Sequence, residues 1–262
     1  MKPGAAIITG AGSPDGIGFW TARRLAMNGI PVVITSTTNR IQERVGELRS
    51  LGGVAVGLDA DLTEPASSAR LVEFALSNFA GVDILVNSAG LTSLAAPDQP
   101  APIGSITDTQ WQASIARNLH TMFYMCRAVL PLMCAAGYGR IVNVASVSGP
   151  LMAYKGDAGY HAAKAGTIGL TRSIAIDAAA YGVTANAVAP GWIGTASASD
   201  HERHLGRATP VGRPGTPDEV ASLVSYLAGP DSGYVTGQVL VVDGGNSIAE
   251  ERGARTDAGD IK

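Results

Sequence analysis

Seven short apolar, β-branched runs recur along the chain: AAIIT from Ala5, PVVIT from Pro31, VAVGLDA from Val54, DILVN from Asp83, RIVNVA from Arg140, VTANAVA from Val183 and QVLVVD from Gln238. A strand with one face in water alternates apolar and polar residues; these runs are apolar on both faces, as parallel strands covered by helices are. Amphipathic, helix-length stretches separate them. That alternation predicts right-handed β-α-β units in an α/β fold with one doubly wound, seven-stranded parallel sheet. No Pro/Ser-rich linker or repeat divides the series, which predicts a single domain over residues 1–249. The polar tail 250–262, EERGARTDAGDIK, is expected to be poorly ordered unless a neighbouring subunit pins it.

Two segments break the regular spacing. Leu91 to Ser105 is rich in Ala and Pro and follows the fourth run; Thr195 to Arg213 follows the sixth. Both fall at the carboxyl edge of the sheet, where open α/β sheets bind ligands, so they are expected to wall a substrate site, the alternative being solvated connections.

Composition narrows the partners. With 262 residues, 46% of them hydrophobic and 16% charged, the chain can bury a sizeable core and is no polyelectrolyte. A net charge of −3 with no Lys/Arg cluster speaks against nucleic acid and against an anionic membrane surface. The opening MKPGAAIITGAG holds an apolar stretch too short to be secretory or membrane-spanning, so a cytoplasmic protein is expected. Cys126 and Cys134 fall eight apart in one predicted helix, too far along its axis to bridge, and read as reduced packing residues.

The first run passes into T9-G-A-G-S-P-D-G-I-G18 and then a helical stretch, FWTARRLAMNG. Strand, glycine turn and helix are the context of a pyrophosphate cradle: Gly10, Gly16 and Gly18 allow backbone angles and close approaches denied to larger residues, and the helix start offers unpaired N–H groups to an anion. A second constellation is Tyr160-His-Ala-Ala-Lys164 at the head of an apolar helix. Four residues apart, the two side chains share a face. An ammonium there favours the phenolate of a group whose unperturbed pKa is about 10, making proton exchange with an alcohol feasible near neutrality.

Taken in order, the glycine loop, Asp61-Leu62, N87-S-A-G90, Asn118, Ser146 in VNVASVSG, Tyr160 with Lys164, P190-G-W-I-G-T195 and GQVLVVDGG resemble the short-chain dehydrogenases/reductases, in particular their 3-oxoacyl-carrier-protein reductase-like branch. The resemblance spans nearly the whole chain. It implies a Rossmann-type fold and hydride transfer between a nicotinamide and a ketone, 3-oxoacyl group or secondary alcohol. Tyr160 is then the general acid for reduction and base for oxidation, Lys164 lowers its pKa and holds the nicotinamide ribose, Ser146 donates to the substrate oxygen, and Asn118 holds a water linking Lys164 to solvent. Thr195 and the Ile193 backbone bind the carboxamide. Gly10, Gly16, Ile17, Gly18, Ser36, Thr37, Asp61, Leu62, Asn87, Ala89, Gly90, Pro190 and Gly191 complete the expected cofactor contacts. The family's usual homotetramer or dimer is expected too.

Plainer roles compete at several positions. Ser148 is the alternative donor to Ser146, which is preferred because it directly follows the strand. Asn118 could simply satisfy helix backbone groups. Asn186 reads as a buried structural amide, Asp243 as a turn-former, and His161 as pointing to another helix face than Tyr160.

Cofactor choice receives mixed signals. Five residues separate Gly10 from Gly16 where the family pattern has three, and the acidic Asp15 precedes Gly16, which disfavours a 2'-phosphate. The second run ends in T35-S-T-T-N-R40, with hydroxyls and Arg40 but no carboxylate for the adenosine ribose. On balance NADP(H) is favoured over NAD(H). His201, Arg203, His204 and Arg207 in the Thr195–Pro210 lid form either a solvated face, the preferred reading, or a surface for an anionic substrate. The leading expectation is carbonyl reduction with NADPH. Its rival is an NAD-dependent secondary-alcohol dehydrogenase, and a non-catalytic dinucleotide-binding regulator is a remote third.

Overall fold

Each of the seven runs becomes a strand: β1 Ala5–Ile8, β2 Val32–Ser36, β3 Ala55–Asp59, β4 Val82–Asn87, β5 Gly139–Val144, β6 Val183–Pro190 and β7 Val239–Val242. The computed structural model describes residues 4–90 and 100–250, so most of the Leu91–Ser105 segment and all but the first residue of the polar tail lie outside the described residues. The strands form one sheet in the order β3-β2-β1-β4-β5-β6-β7, and every pairing is parallel. From β1 the chain winds outward to β3, then returns to lay β4 on the other side of β1. The loops leaving β1 and β4 diverge at that reversal and open a crevice at the carboxyl edge.

Among the described residues, eight α-helices cover the sheet: α1 Ile17–Met27, α2 Ile41–Ser50, α3 Pro65–Asn78, α4 Asp108–Ile115, α5 Thr121–Ala136, α6 Ala158–Ala178, α7 Asp200–Arg207 and α8 Pro217–Ala228. Their starts are written locally. Thr107 with Gln110, Ser199 with Glu202 and Thr216 with Glu219 form reciprocal capping boxes on α4, α7 and α8. Proline opens α3 and α8, where its missing N–H is harmless. A π-helical segment, Ala116–His120, joins α4 to α5.

The strands are apolar throughout because successive residues enter different cores. Ile7, Leu85 and Ile141 pack under α3, α5 and α6 with Leu71, Met125 and Val129. Their neighbours Ile8, Val86 and Val142 pack under α1, α2 and α8 with Leu25, Leu48 and Val224. Each such aliphatic side chain contributes roughly 1.5–3 kcal/mol on burial. Asp108–Ala136 is, among the described residues, the one helical run long and apolar enough to cross a membrane; it gives Met122, Met125, Val129 and Met133 to the core. Cys126 and Cys134 are both free thiols on α5, and burial pushes Cys126 up to about 12.

Candidate active site

The crevice above the β1/β4 reversal has a volume of about 530 Å³ and a wall drawn from all the loops that leave the carboxyl edge near it. At its centre is the glycine loop. Gly10 has φ +69, and a Cβ there would stand 2.6 Å from the Ser88 carbonyl oxygen. At Gly18 a Cβ would stand 2.6 Å from the Gly10 carbonyl oxygen, so only glycine lets α1 begin hard against the turn. Gly16 caps α1 without a side-chain hydrogen bond, and no acid occupies the first turn. The first N–H groups and the positive end of the helix dipole are thereby left for an anion. Thr9 Oγ1 accepts from the amides of Ser88 and Ala89, at 3.1 and 3.0 Å, and ties the β4 loop to the same turn.

One end of the crevice is lined by Ser36, Thr37, Arg40, Asp61 and Leu62. A Cβ on Gly12 would lie 2.8 Å from Arg40 Nε, so the glycine loop runs directly over the guanidinium. Of the residues lining this end, Arg40 Nε and Thr35 Oγ1 are buried without a hydrogen-bond partner among the described residues. Such groups are costly to leave unpaired, and together they suit an anionic, oxygen-rich ligand. Asp61 is engaged by Thr63, accepting from its amide at 2.9 Å and its hydroxyl at 2.6 Å.

The other end is set by α6 and the loop after β5. Asp157 starts α6, accepting from the Tyr160 amide at 3.4 Å. Tyr160 and Lys164 are both buried, on one face of the helix, with Lys164 Nζ 5.6 Å from the Tyr160 ring centroid. Lys164 Nζ donates to the Val144 carbonyl at 2.9 Å, and burial pushes its ammonium down to about 8. Ser146 Oγ accepts from the Ser148 amide at 3.0 Å, which leaves its own proton to be donated elsewhere. Ser146, Ser148, Tyr160 and Lys164 all line the crevice.

Asn118, expected in the catalytic set, is absent from the crevice wall. It is buried in the π-helical segment, where Nδ2 donates to the Ser114 carbonyl at 3.1 Å. It is nevertheless close to the site: a Cβ on Gly90 would lie 2.8 Å from Asn118 Oδ1 and 3.5 Å from Lys164 Nζ. Asn87, expected to contact cofactor, is turned away from the crevice. Its Nδ2 donates to Asn143 Oδ1 at 2.9 Å and to Cys126 Sγ at 3.3 Å, stitching β4 to β5. The remaining expected contacts, from Gly10, Gly16, Ile17 and Gly18 through Ala89 and Gly90 to Pro190, Gly191, Ile193 and Thr195, line the crevice.

The structural readings of three other residues hold. Asn186 is fully buried, donating to the Val235 carbonyl and accepting from the Gln238 amide. Asp243 shapes the turn after β7 by accepting from the amides of Gly245 and Ser247. His161 is off the crevice wall, its ring edge-on to Tyr154. In α7, His201, His204 and Arg207 are exposed and Arg203 pairs with Asp200 at 3.6 Å, whereas Glu202 lines the crevice. Sequence reasoning missed Glu202 together with Met152, Tyr154, Trp192 and Asn246; the aromatic pair carried a signal, standing in loops that leave the carboxyl ends of β5 and β6.

A doubly wound parallel sheet whose glycine turn opens onto a Ser, Tyr and Lys cluster defines a dinucleotide-dependent oxidoreductase. A family model described as enoyl-(acyl carrier protein) reductase matches residues 10–247. The chain is 38% identical over 247 residues to a cyclohexanol dehydrogenase of Acinetobacter sp. (strain SE19), covering 91% of this chain and 93% of that protein. It is likewise 38% identical over 244 residues to the 3-oxoacyl-[acyl-carrier-protein] reductase FabG of Vibrio cholerae, covering 92% and 96%. The crystal structure of levodione reductase superposes with a TM-score of 0.87 at 29% identity, covering 94% of this chain and 98% of that one. The chain belongs to the short-chain dehydrogenases/reductases, and is a nicotinamide-dependent enzyme of CH–OH and C=O groups.

Proposed function

We propose that the protein reduces a ketone to a secondary alcohol with NADPH, using Tyr160 as the acid, Ser146 as the hydrogen-bond donor to the carbonyl oxygen, and Lys164 as the charge that tunes Tyr160. The juxtaposition of Tyr160 and Lys164 on one face of α6, at the crevice wall, carries this reading. A bound nicotinamide dinucleotide supplies the hydride. As the hydride reaches the carbonyl carbon, negative charge grows on oxygen; Ser146 donates to it and Tyr160 delivers the proton. The tyrosinate left behind is stabilised by Lys164 and reprotonated from solvent. Asn118, behind Gly90 and close to Lys164, suits a relay water on that route and is a positioning residue. Run in reverse, Tyr160 accepts the alcohol proton.

For the cofactor, Gly10, Gly16, Ile17 and Gly18 would hold the pyrophosphate, Ser36, Thr37, Asp61 and Leu62 the adenosine, and Ala89, Gly90, Pro190, Gly191, Ile193 and Thr195 the nicotinamide half. Asn87 acts only through the strands it joins. The Arg40 Nε and Thr35 hydroxyl, unpartnered among the described residues, favour a 2'-phosphate, hence NADP(H). Steady-state rates with NADPH and NADH test the choice: an NADH preference of about tenfold or more overturns it. In that case the NAD-dependent alcohol dehydrogenase becomes the reading, a direction supported by the resemblance to the cyclohexanol dehydrogenase.

We further propose that residues 1–249 act as one catalytic unit in the cytoplasm, assembled as a homotetramer or dimer. Free thiols at Cys126 and Cys134 suit a reducing compartment. Apolar residues on the outer faces of α5 and α6, Phe123 and the 80% exposed Ile176, suit subunit contacts.

A further inference from the structure

Two tyrosines reach the crevice, and their surroundings give them different work. Tyr154 donates its hydroxyl to Asp157 Oδ2 at 3.0 Å. Burial, and then the Asp157 charge, hold its phenol far above the ordinary range, so it stays neutral and its hydroxyl is committed. What Tyr154, 40% exposed as a residue, offers the crevice is its ring. His161 meets that ring edge-on at 4.5 Å between centroids and fixes its tilt. Trp192, leaving β6, lies 6.2 Å from the Tyr154 ring with the planes inclined at 43°. The two faces therefore make an apolar corner. Met152 lines the same end, its sulfur 3.6 Å from Asn246 Nδ2.

Charge is distributed unevenly around this corner. The lining cations are Arg40, Arg117 and Lys164, carried by the loop after β2, the π-helical segment and α6. Among the described residues, the wall made by Met152, Tyr154, Trp192 and Asn246 is joined by one acidic side chain, Glu202 of α7, which lies within electrostatic reach of Tyr154. Glu202 is held in place by the Ser199 amide and hydroxyl, at 2.7 and 2.8 Å.

We propose that Tyr154 and Trp192 determine specificity by packing against an uncharged, ring-shaped ketone or secondary alcohol, while Glu202 disfavours substrates bearing a carboxylate or phosphate beyond the reacting carbon. A rigid ring presents a flat apolar face without the rotamer entropy that a flexible acyl chain loses on binding. A second anion beside the Glu202 carboxylate in a partly desolvated crevice is repelled by it. The inference rests on the oxidoreductase reading of Ser146 and Tyr160.

The test is a matched pair, 4-methylcyclohexanone against 4-oxocyclohexanecarboxylate, with butanone as a small acyclic reference. The wild-type protein should prefer the neutral ring by roughly 100-fold in kcat/KM. Glu202→Gln keeps the capping box, because glutamine serves there as well, and should shrink that preference by about tenfold. Tyr154→Ala and Trp192→Ala should each cost the ring ketone roughly tenfold more kcat/KM than they cost butanone, chiefly through KM. A preference unmoved by Glu202→Gln, or equal losses for ring and acyclic ketones, overturns the proposal. If no ketone is turned over with either nicotinamide, the oxidoreductase reading fails, and the substrate class fails with it; healthy butanone turnover without ring selectivity sinks the substrate class alone.

Discussion

Lys164 Nζ stands 5.6 Å from the centre of the Tyr160 ring, one turn further along α6, and is anchored to β5 by a 2.9 Å hydrogen bond to the Val144 carbonyl. The anchor fixes the offset between ammonium and phenol, because it ties a helix side chain to a strand paired on both sides within the sheet. Burial has a cost that can be measured. The Lys164 pKa falls from its ordinary 10.5 to about 8 in the folded protein.

Between those two values the unfolded chain still holds the lysine proton and the folded one has released it. The unfolded state then binds more protons, so stability rises with pH through that window. The difference in unfolding free energy between the parent and Lys164→Met should be flat below about pH 7 and increase in the parent's favour from pH 8 to 10.5, by denaturant titration at each pH. A pH-independent difference contradicts the buried, depressed lysine.

Arg40 is the group on which cofactor preference turns. Arg40→Ala should weaken NADPH binding by roughly 10–100-fold, the worth of a charge-assisted hydrogen bond, and leave NADH binding nearly as it was. Dissociation constants for both dinucleotides, measured by fluorescence titration, check this. Equal losses would mean that Arg40 merely supports the fold.

Gly18 lies in the first turn of α1, where alanine would ordinarily stabilise a helix by about 1 kcal/mol. Here the added methyl would meet the Gly10 carbonyl at 2.6 Å, and backbone must move. Gly18→Ala should instead destabilise by about 1–3 kcal/mol and weaken dinucleotide binding at least as much. Thermal melts with and without cofactor separate the two losses; a stabilised variant with unaltered affinity contradicts the tight turn.

The sheet was legible because both faces of each strand are buried, so Ile7 and Ile8 read as one apolar run although they enter different cores. Tyr160 and Lys164 were legible because helical spacing alone puts them on one face. The NSAG segment lines the crevice through Ser88, Ala89 and Gly90, whereas Asn87 still belongs to β4 and pairs in register with Asn143. An asparagine near the end of each of two neighbouring strands was the available signal. The π-helical segment around Asn118 leaves no periodic trace. The phase of α7 is set by tertiary contact: buried Gly206 packs against Pro214, a Cβ there being 2.6 Å from its ring, and this turns Glu202, four residues earlier, inward and the histidines outward.

The most direct test of the proposed chemistry removes one oxygen atom. Tyr160→Phe keeps the ring packed at the crevice wall and deletes the proton donor. Ketone turnover should fall by about 10²–10⁴-fold while dinucleotide affinity, measured by fluorescence titration of the same preparation, stays within a few-fold of the parent. Turnover retained within about tenfold, with the cofactor still bound, contradicts the assignment of Tyr160 as the acid.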